Sequence, residues 1–224
     1  MKNINDLRQL SIHLFDEELA QQIIEQIDKD NVEVEEQVEL PDDQPQLHRN
    51  LNNNLDKVRS YKTIWLGDRF YNNLKVGAFI GKPNITVGDG LQNFNFTQNL
   101  NEPKFGYKTA NGMLITPMSM PFNGGSIPNI AQIFSKLSPT YFISAYLIHD
   151  WLFHCHQKGI LPESDLSFEE TAIILAEAIK VTMETDHYNL EGEKVEIEKD
   201  EDVLYVIYQA VRTHIAKAIW EKKQ

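Results

Sequence analysis

The chain has 224 residues, 42% of them hydrophobic and 24% charged, and its 33 acids against 21 bases leave a net charge of −12. That is a globular composition, long enough for one core-bearing domain with extensions, and it excludes disorder of the whole chain. The single Cys155 excludes an internal disulfide and any cysteine-based zinc site, and is compatible with a reducing compartment.

Charge is spread unevenly. Residues 1–63 carry −7, residues 64–158 carry +3 and residues 159–224 carry −8. Acidic flanks repel phosphate, so nucleic acid is not an expected partner. No apolar run reaches the roughly 18 residues that cross a bilayer, because Ser138, Ser144 and His149-Asp150 interrupt the best one. The opening Met-Lys-Asn-Ile-Asn-Asp lacks the apolar core of a signal peptide, so synthesis in a host cytoplasm is expected.

In chain order, residues 1–29 form an N-terminal helical segment, with Leu7, Leu10 and Leu14 and then Leu19, Ile23, Ile24 and Ile27 at helical spacing. Residues 30–62 turn acidic and polar around Pro41 and Pro45, the pattern of a linker or an arm laid on another surface. A core domain then runs over 63–224. Thr63-Ile-Trp-Leu66, Leu74–Ile80 and Met113-Leu-Ile-Thr116 are short β-type runs, separated by Gly81-Lys-Pro-Asn, Gly88-Asp-Gly and the hairpin signal Ala110-Asn-Gly112. Asn93-Phe-Asn-Phe-Thr97 alternates at period two. These runs predict one small antiparallel sheet of about four to six strands over 63–121.

From residue 129 the pattern is helical. A short helix is predicted over 129–137, and a long apolar one over 139–157 opened by Ser138-Pro139. A third spans 167–187 and begins with the capping-box residues Ser167 and Glu170. The last, over 201–222, carries Val203, Ile207, Val211, Ile215 and Ile219 four apart. Strands first and helices after predict an α+β fold: a small antiparallel sheet, then a packed helical half.

The chemistry concentrates in Thr140–His156, a helix apolar enough to be buried on most sides yet carrying His149 and Asp150. A buried carboxylate is costly unless paired, so the pair serves either chemistry or a polar network. About twenty positions earlier stands the Gly-rich loop Met120-Pro-Phe-Asn123-Gly124-Gly125-Ser126-Ile127-Pro128. Loop and helix together resemble a small bacterial and phage family of unknown function. Its signature is a Phe-x-Thr-Asp-Gly-Ala-Ser-Ile-Pro loop, a helix with Leu-His-Asp-Tyr-Leu-Tyr, and a later helix with Glu-Ala-Asp. The resemblance covers roughly residues 64–180, and Gly124, Ser126, Ile127, Pro128, His149 and Asp150 match unchanged. Phe122 and Asn123 replace the loop Thr and Asp, Trp151 and Phe153 replace the tyrosines, and Glu170-Thr171-Ala172 replaces the triplet.

Read from the residues alone, the helix puts His149, Phe153 and His156 on one face, with Asp150 and His154 on the next. Asp150 and His154, an i,i+4 pair, are the candidate metal ligands, with Asp186-His187 as a source of a third; no metal is favoured and no cofactor is expected. The pair is also similar to the His-Asp of secreted phospholipases, but those enzymes need disulfides that one cysteine cannot form. The architectural reading has Asp150 accept hydrogen bonds from a network of Asn123, Gly124, Gly125, Ser126 and Pro128, pinning loop to helix. His154 and His156 then complement the helix dipole, Cys155 packs, and Met113, Met118 and Met120 fill gaps around the sheet.

Two functions follow. The first is a phage- or prophage-encoded structural or interaction protein, virion- or tail-associated, that meets a protein partner or copies of itself through residues 1–60 and the C-terminal helix. The second is a hydrolase with His149 as general base and Asp150 as its orienter or as a metal ligand. The loss of two of the resembled family's three acids favours the first.

Overall fold

A computed structural model describes residues 21–23, 25–26, 61–88, 94–101, 103–122, 142–185, 187–188, 194–195 and 199–222. The expectations for the acidic arm, for a helix over 129–137 and for the 123–128 loop lie outside them. Of the N-terminal segment, 21–23 and 25–26 are helical, and Ile23 is buried in the main core.

The architecture is α+β, as the order of runs predicts. Its first described element of the core domain corrects one of them: Thr63-Ile-Trp-Leu66 is not a strand but part of helix α1, Tyr61–Asn73. The reason lies in tertiary packing. Helix α4, Glu201–Ala210, lies against it so closely that a Cβ on Gly67 would stand 2.8 Å from the Asp202 Cα. Leu66 is buried there, and the Phe70 ring stacks on Tyr208 at 4.5 Å and tilts on Tyr205 at 5.4 Å. Burying each such side chain contributes about 1.5–3 kcal/mol, which overrides the β preference of Ile and Trp.

Six strands follow: β1 Ala78–Ile80, β2 Asn84–Val87, β3 Phe94–Thr97, β4 Gly106–Lys108, β5 Leu114–Ile115 and β6 Met120–Phe122. They form two three-stranded antiparallel sheets, ordered β1-β4-β5 and β2-β3-β6, rather than the single sheet expected. The chain leaves the first sheet for the second at Gly81, whose φ of 68° is costly for any residue with a Cβ. A Cβ there would also lie 2.9 Å from the carbonyl oxygens of Pro103 and Lys104. The period-two pattern of β3 holds, with Phe94 and Phe96 buried and Asn95 and Thr97 exposed. Ala110-Asn-Gly112 closes the β4–β5 hairpin, where Thr109 N–H donates to the Met113 carbonyl at 2.8 Å.

Gln98 joins the two sheets. Its Nε2 donates to the Phe105 and Pro117 carbonyls, both at 2.8 Å, and its Oε1 accepts from the Phe105 and Asn99 amides, both at 2.9 Å. Met113 and Met120 pack on the core as expected, whereas Met118 is 55% exposed and fills no gap.

The helical half is built on α2, Ile143–Lys158, which begins after Phe142 without a side-chain cap and ends on left-handed Gly159. A 3-10 turn at Glu163–Asp165 leads to α3, Phe168–Glu184, whose capping box is complete: Ser167 accepts from the Glu170 amide while Glu170 accepts from the Ser167 amide. Helix α3 stops at Glu184, short of 187, and His187 falls in a two-stranded ribbon of β7, His187–Tyr188, and β8, Lys194–Val195. The single helix expected over 201–222 is two. Helix α4 ends at Ala210 and helix α5, His214–Trp220, restarts on Thr213, whose hydroxyl accepts from the Ala216 amide. Among the described residues no helix is long and apolar enough to cross a membrane.

Candidate functional site

Helix α2 is buried almost all round, so its polar side chains sit in the core. His149 is 1% exposed and Asp150 is 6% exposed. The imidazole rests on the Phe153 ring one turn on, with centroids 4.5 Å apart. Neither of its ring nitrogens has a hydrogen-bond partner among the described residues. Burial alone pushes its pKa down to about 3, because the charged ring would lose its hydration with no compensating contact. A general base works best with a pKa near the operating pH. His149 is instead a neutral, weakly basic ring held in apolar surroundings.

Asp150 lies about 100° further round the helix, and Tyr146 is one turn before it. Burial first, and then the Asp150 carboxylate, push the Tyr146 phenol well above its ordinary range. The three therefore share helix α2 without His149 and Asp150 forming a dyad. The predicted loop partners Asn123, Gly124, Gly125, Ser126 and Pro128 lie outside the described residues, so their contact with Asp150 is not described either.

The remaining candidates on α2 are occupied by rings. His154 stacks on Trp151 at 5.7 Å, and His156 stacks on Trp220 of α5 at 3.8 Å and 17°. Aromatic contacts thus hold both imidazoles, and His156 lies in the last turn of α2, where the helix dipole favours a basic group. Cys155 is fully buried, and burial pushes its thiol up to about 12, which leaves no thiolate for nucleophilic attack. No group of three His, Cys, Asp or Glu able to hold a metal occurs among the described residues.

Two buried charges on α3 went unread in the sequence, although the signal that exposed Asp150 applies to them: Glu177 and Lys180 interrupt the apolar run Ile173–Val181. Glu177, 7% exposed, accepts from the Ala110 amide at 3.0 Å and is hydrogen-bonded to the Tyr107 hydroxyl, which in turn accepts from the Gly77 amide at 3.1 Å. Burial raises its pKa despite these bonds, which oppose the shift. Lys180, 8% exposed, donates to the carbonyls of Tyr71 at 2.6 Å and Leu74 at 2.8 Å, capping the C-terminal end of α1. Its ammonium also lies 4.5 Å from the Tyr71 ring centroid, and that of Lys199 lies 4.4 Å from it. Both α3 charges are directed at backbone and tie α3 to the hairpin and to α1.

The chain matches no family model, no curated protein and no solved structure.

Proposed function

We propose that this chain is a non-catalytic interaction protein of phage or prophage origin, associated with the virion or tail, in which the His149–Asp150 helix is architectural. The origin rests on the resemblance of the Asn123–Pro128 loop and the Ile148–Phe153 segment to the phage and bacterial family. The observation that carries the architectural reading is the enclosure of the pair: His149 is 1% exposed with no polar partner on either nitrogen among the described residues, and its pKa is near 3. Such a ring neither meets a substrate nor takes its proton at neutral pH. Surfaces for a partner are residues 1–60 and the outward side of α5, where His214, Lys217 and Ala218 are exposed; α4 faces inward.

The test is stability. In an architectural site Asp150→Asn breaks a buried network and lowers the unfolding free energy by about 3 kcal/mol. Catalytic groups are held at a cost to stability, so in a hydrolase the same change leaves stability equal or higher. Urea unfolding of Asp150→Asn and His149→Ala at neutral pH separates the two, and an Asp150→Asn chain as stable as wild type overturns the proposal. Purified particles that lack the chain would remove its virion part.

A further inference from the structure

Helix α5 is attached to the molecule in an unusual way. Its apolar contacts form a cluster separate from the main core: Trp220 and Ala216 with Phe153 of α2 and Phe168 of α3, and Ile219 packed beside them. The Trp220 indole meets Phe153 edge-on at 5.0 Å, Phe168 at 6.0 Å and His156 face to face at 3.8 Å. One polar bond joins the rim, from Gln157 Nε2 to the Ile219 carbonyl at 3.0 Å. Seven residues are too few to hold a helix alone, so α5 is helical because it is docked.

The joint that lets it dock is the three-residue turn 211–213. Val211 has φ −75° and ψ −4°, the Arg212 and Thr213 amides bond three residues back to Gln209 and Ala210, and Thr213 turns the chain with ψ 160°. Bringing 211–213 to helical angles, with ψ about −42°, makes α4 and α5 one rod. The sequence favours the rod: residues 201–222 contain no Gly or Pro, and Val203, Ile207, Val211, Ile215 and Ile219 keep one stripe across the break. In the bent form the stripe is interrupted, with Val203, Ile207 and Val211 buried but Ile215 and Ile219 only half-buried. The bend is held by Thr213 itself, whose hydroxyl accepts from the Ala216 amide at 3.4 Å and donates to the Ala210 carbonyl at 2.9 Å.

We infer that α5 is exchangeable between two copies of this chain, each straightening at Thr213 and seating its Trp220 in the Phe153–His156–Phe168 groove of the other. The occupant of that groove is argued from the groove itself: α5 already fits it, and a second copy brings the same plug and the same socket. The exchange is reciprocal, so it closes as a two-fold dimer and leaves no open end. It keeps every contact of the satellite cluster and adds the continuous stripe, while the lost freedom of two chains sets the concentration at which it appears. The inference does not depend on whether His149 and Asp150 are catalytic.

The experiment uses the full chain. Preparations of Gln157→Cys and Ile219→Cys are mixed, concentrated and treated with a short bis-maleimide; the buried Cys155 thiol does not compete. A covalent dimer on a denaturing gel is expected. Thr213→Ala, which removes the cap that holds the bend, is expected to raise the dimer fraction in sedimentation about five-fold per chain, the factor that one lost N-cap supplies. The inference is overturned if the mixture gives no covalent dimer while a chain carrying both cysteines cross-links within itself. Thr213→Ala sedimenting as a monomer at every concentration overturns it equally.

Discussion

An imidazole packed on Phe153, with no hydrogen-bond partner for either nitrogen among the described residues, has to stay neutral to stay buried, and that makes His149 a source of acid sensitivity. Its folded pKa of about 3 lies below the ordinary 6.5. Its contribution to stability is therefore complete above pH 6.5 and is lost as pH falls from 6.5 towards 3. By linkage the loss is about 2 kcal/mol at pH 5. Urea unfolding at pH 7 and pH 5 measures it, and His149→Phe, which cannot take up the proton, should remove most of the difference. An equal difference in both chains would assign the acid sensitivity elsewhere. Glu177 works in the opposite sense, since a raised carboxyl pKa makes the fold gain stability as pH falls through it. The location of His149 and Asp150 in a buried helix was legible because a charge stands out in an apolar run. What was not legible is that neither His149 nitrogen meets a polar group among the described residues, so that burial alone sets its proton affinity.

At the scale of elements, local signals were read well and long-range ones poorly. Ser167 and Glu170 sit three apart before an apolar run, and the structure makes both bonds of the capping box, with the Ser167 amide donating to Glu170 at 2.7 Å. Ser167→Ala should lower stability by about 1 kcal/mol, seen as a shift of the urea midpoint without a change of slope; an unmoved midpoint would mean the first turn of α3 is held by packing alone. The alternation of β3 was equally visible, because burial on one face of a strand writes itself into every second residue. Thr63–Leu66 misled because the helix that contains it is set by α4, some 140 positions away, which lies against Gly67 and the Phe70 ring. The bend at Thr213 was hidden for the converse reason, since the apolar spacing there is that of a straight helix, and the Thr213 hydroxyl bonds and Trp220 contacts that oppose it leave no mark on that spacing.

Over the whole molecule, α3 is the beam to which the other parts are tied. Glu177 holds the β4–β5 hairpin and Lys180 holds the end of α1, so one helix fixes the sheet half and the helical half in place. Glu177→Leu should release the hairpin selectively, at a cost of about 2–3 kcal/mol for the broken buried bonds. Hydrogen exchange would then speed up at the Ala110 and Tyr107 amides and stay slow in α2; equal acceleration in both would show that the molecule opens as one unit. The join made by Gln98 has a different kind of consequence. Two N–H donors and one oxygen serve four backbone groups on chain segments from both sheets. Glutamate has the reach but not the donors, asparagine has the groups but not the reach, and leucine has neither. Position 98 thus has no synonym among the twenty side chains, and a lineage keeping this pair of sheets can drift at their faces but not at the residue that sews them together.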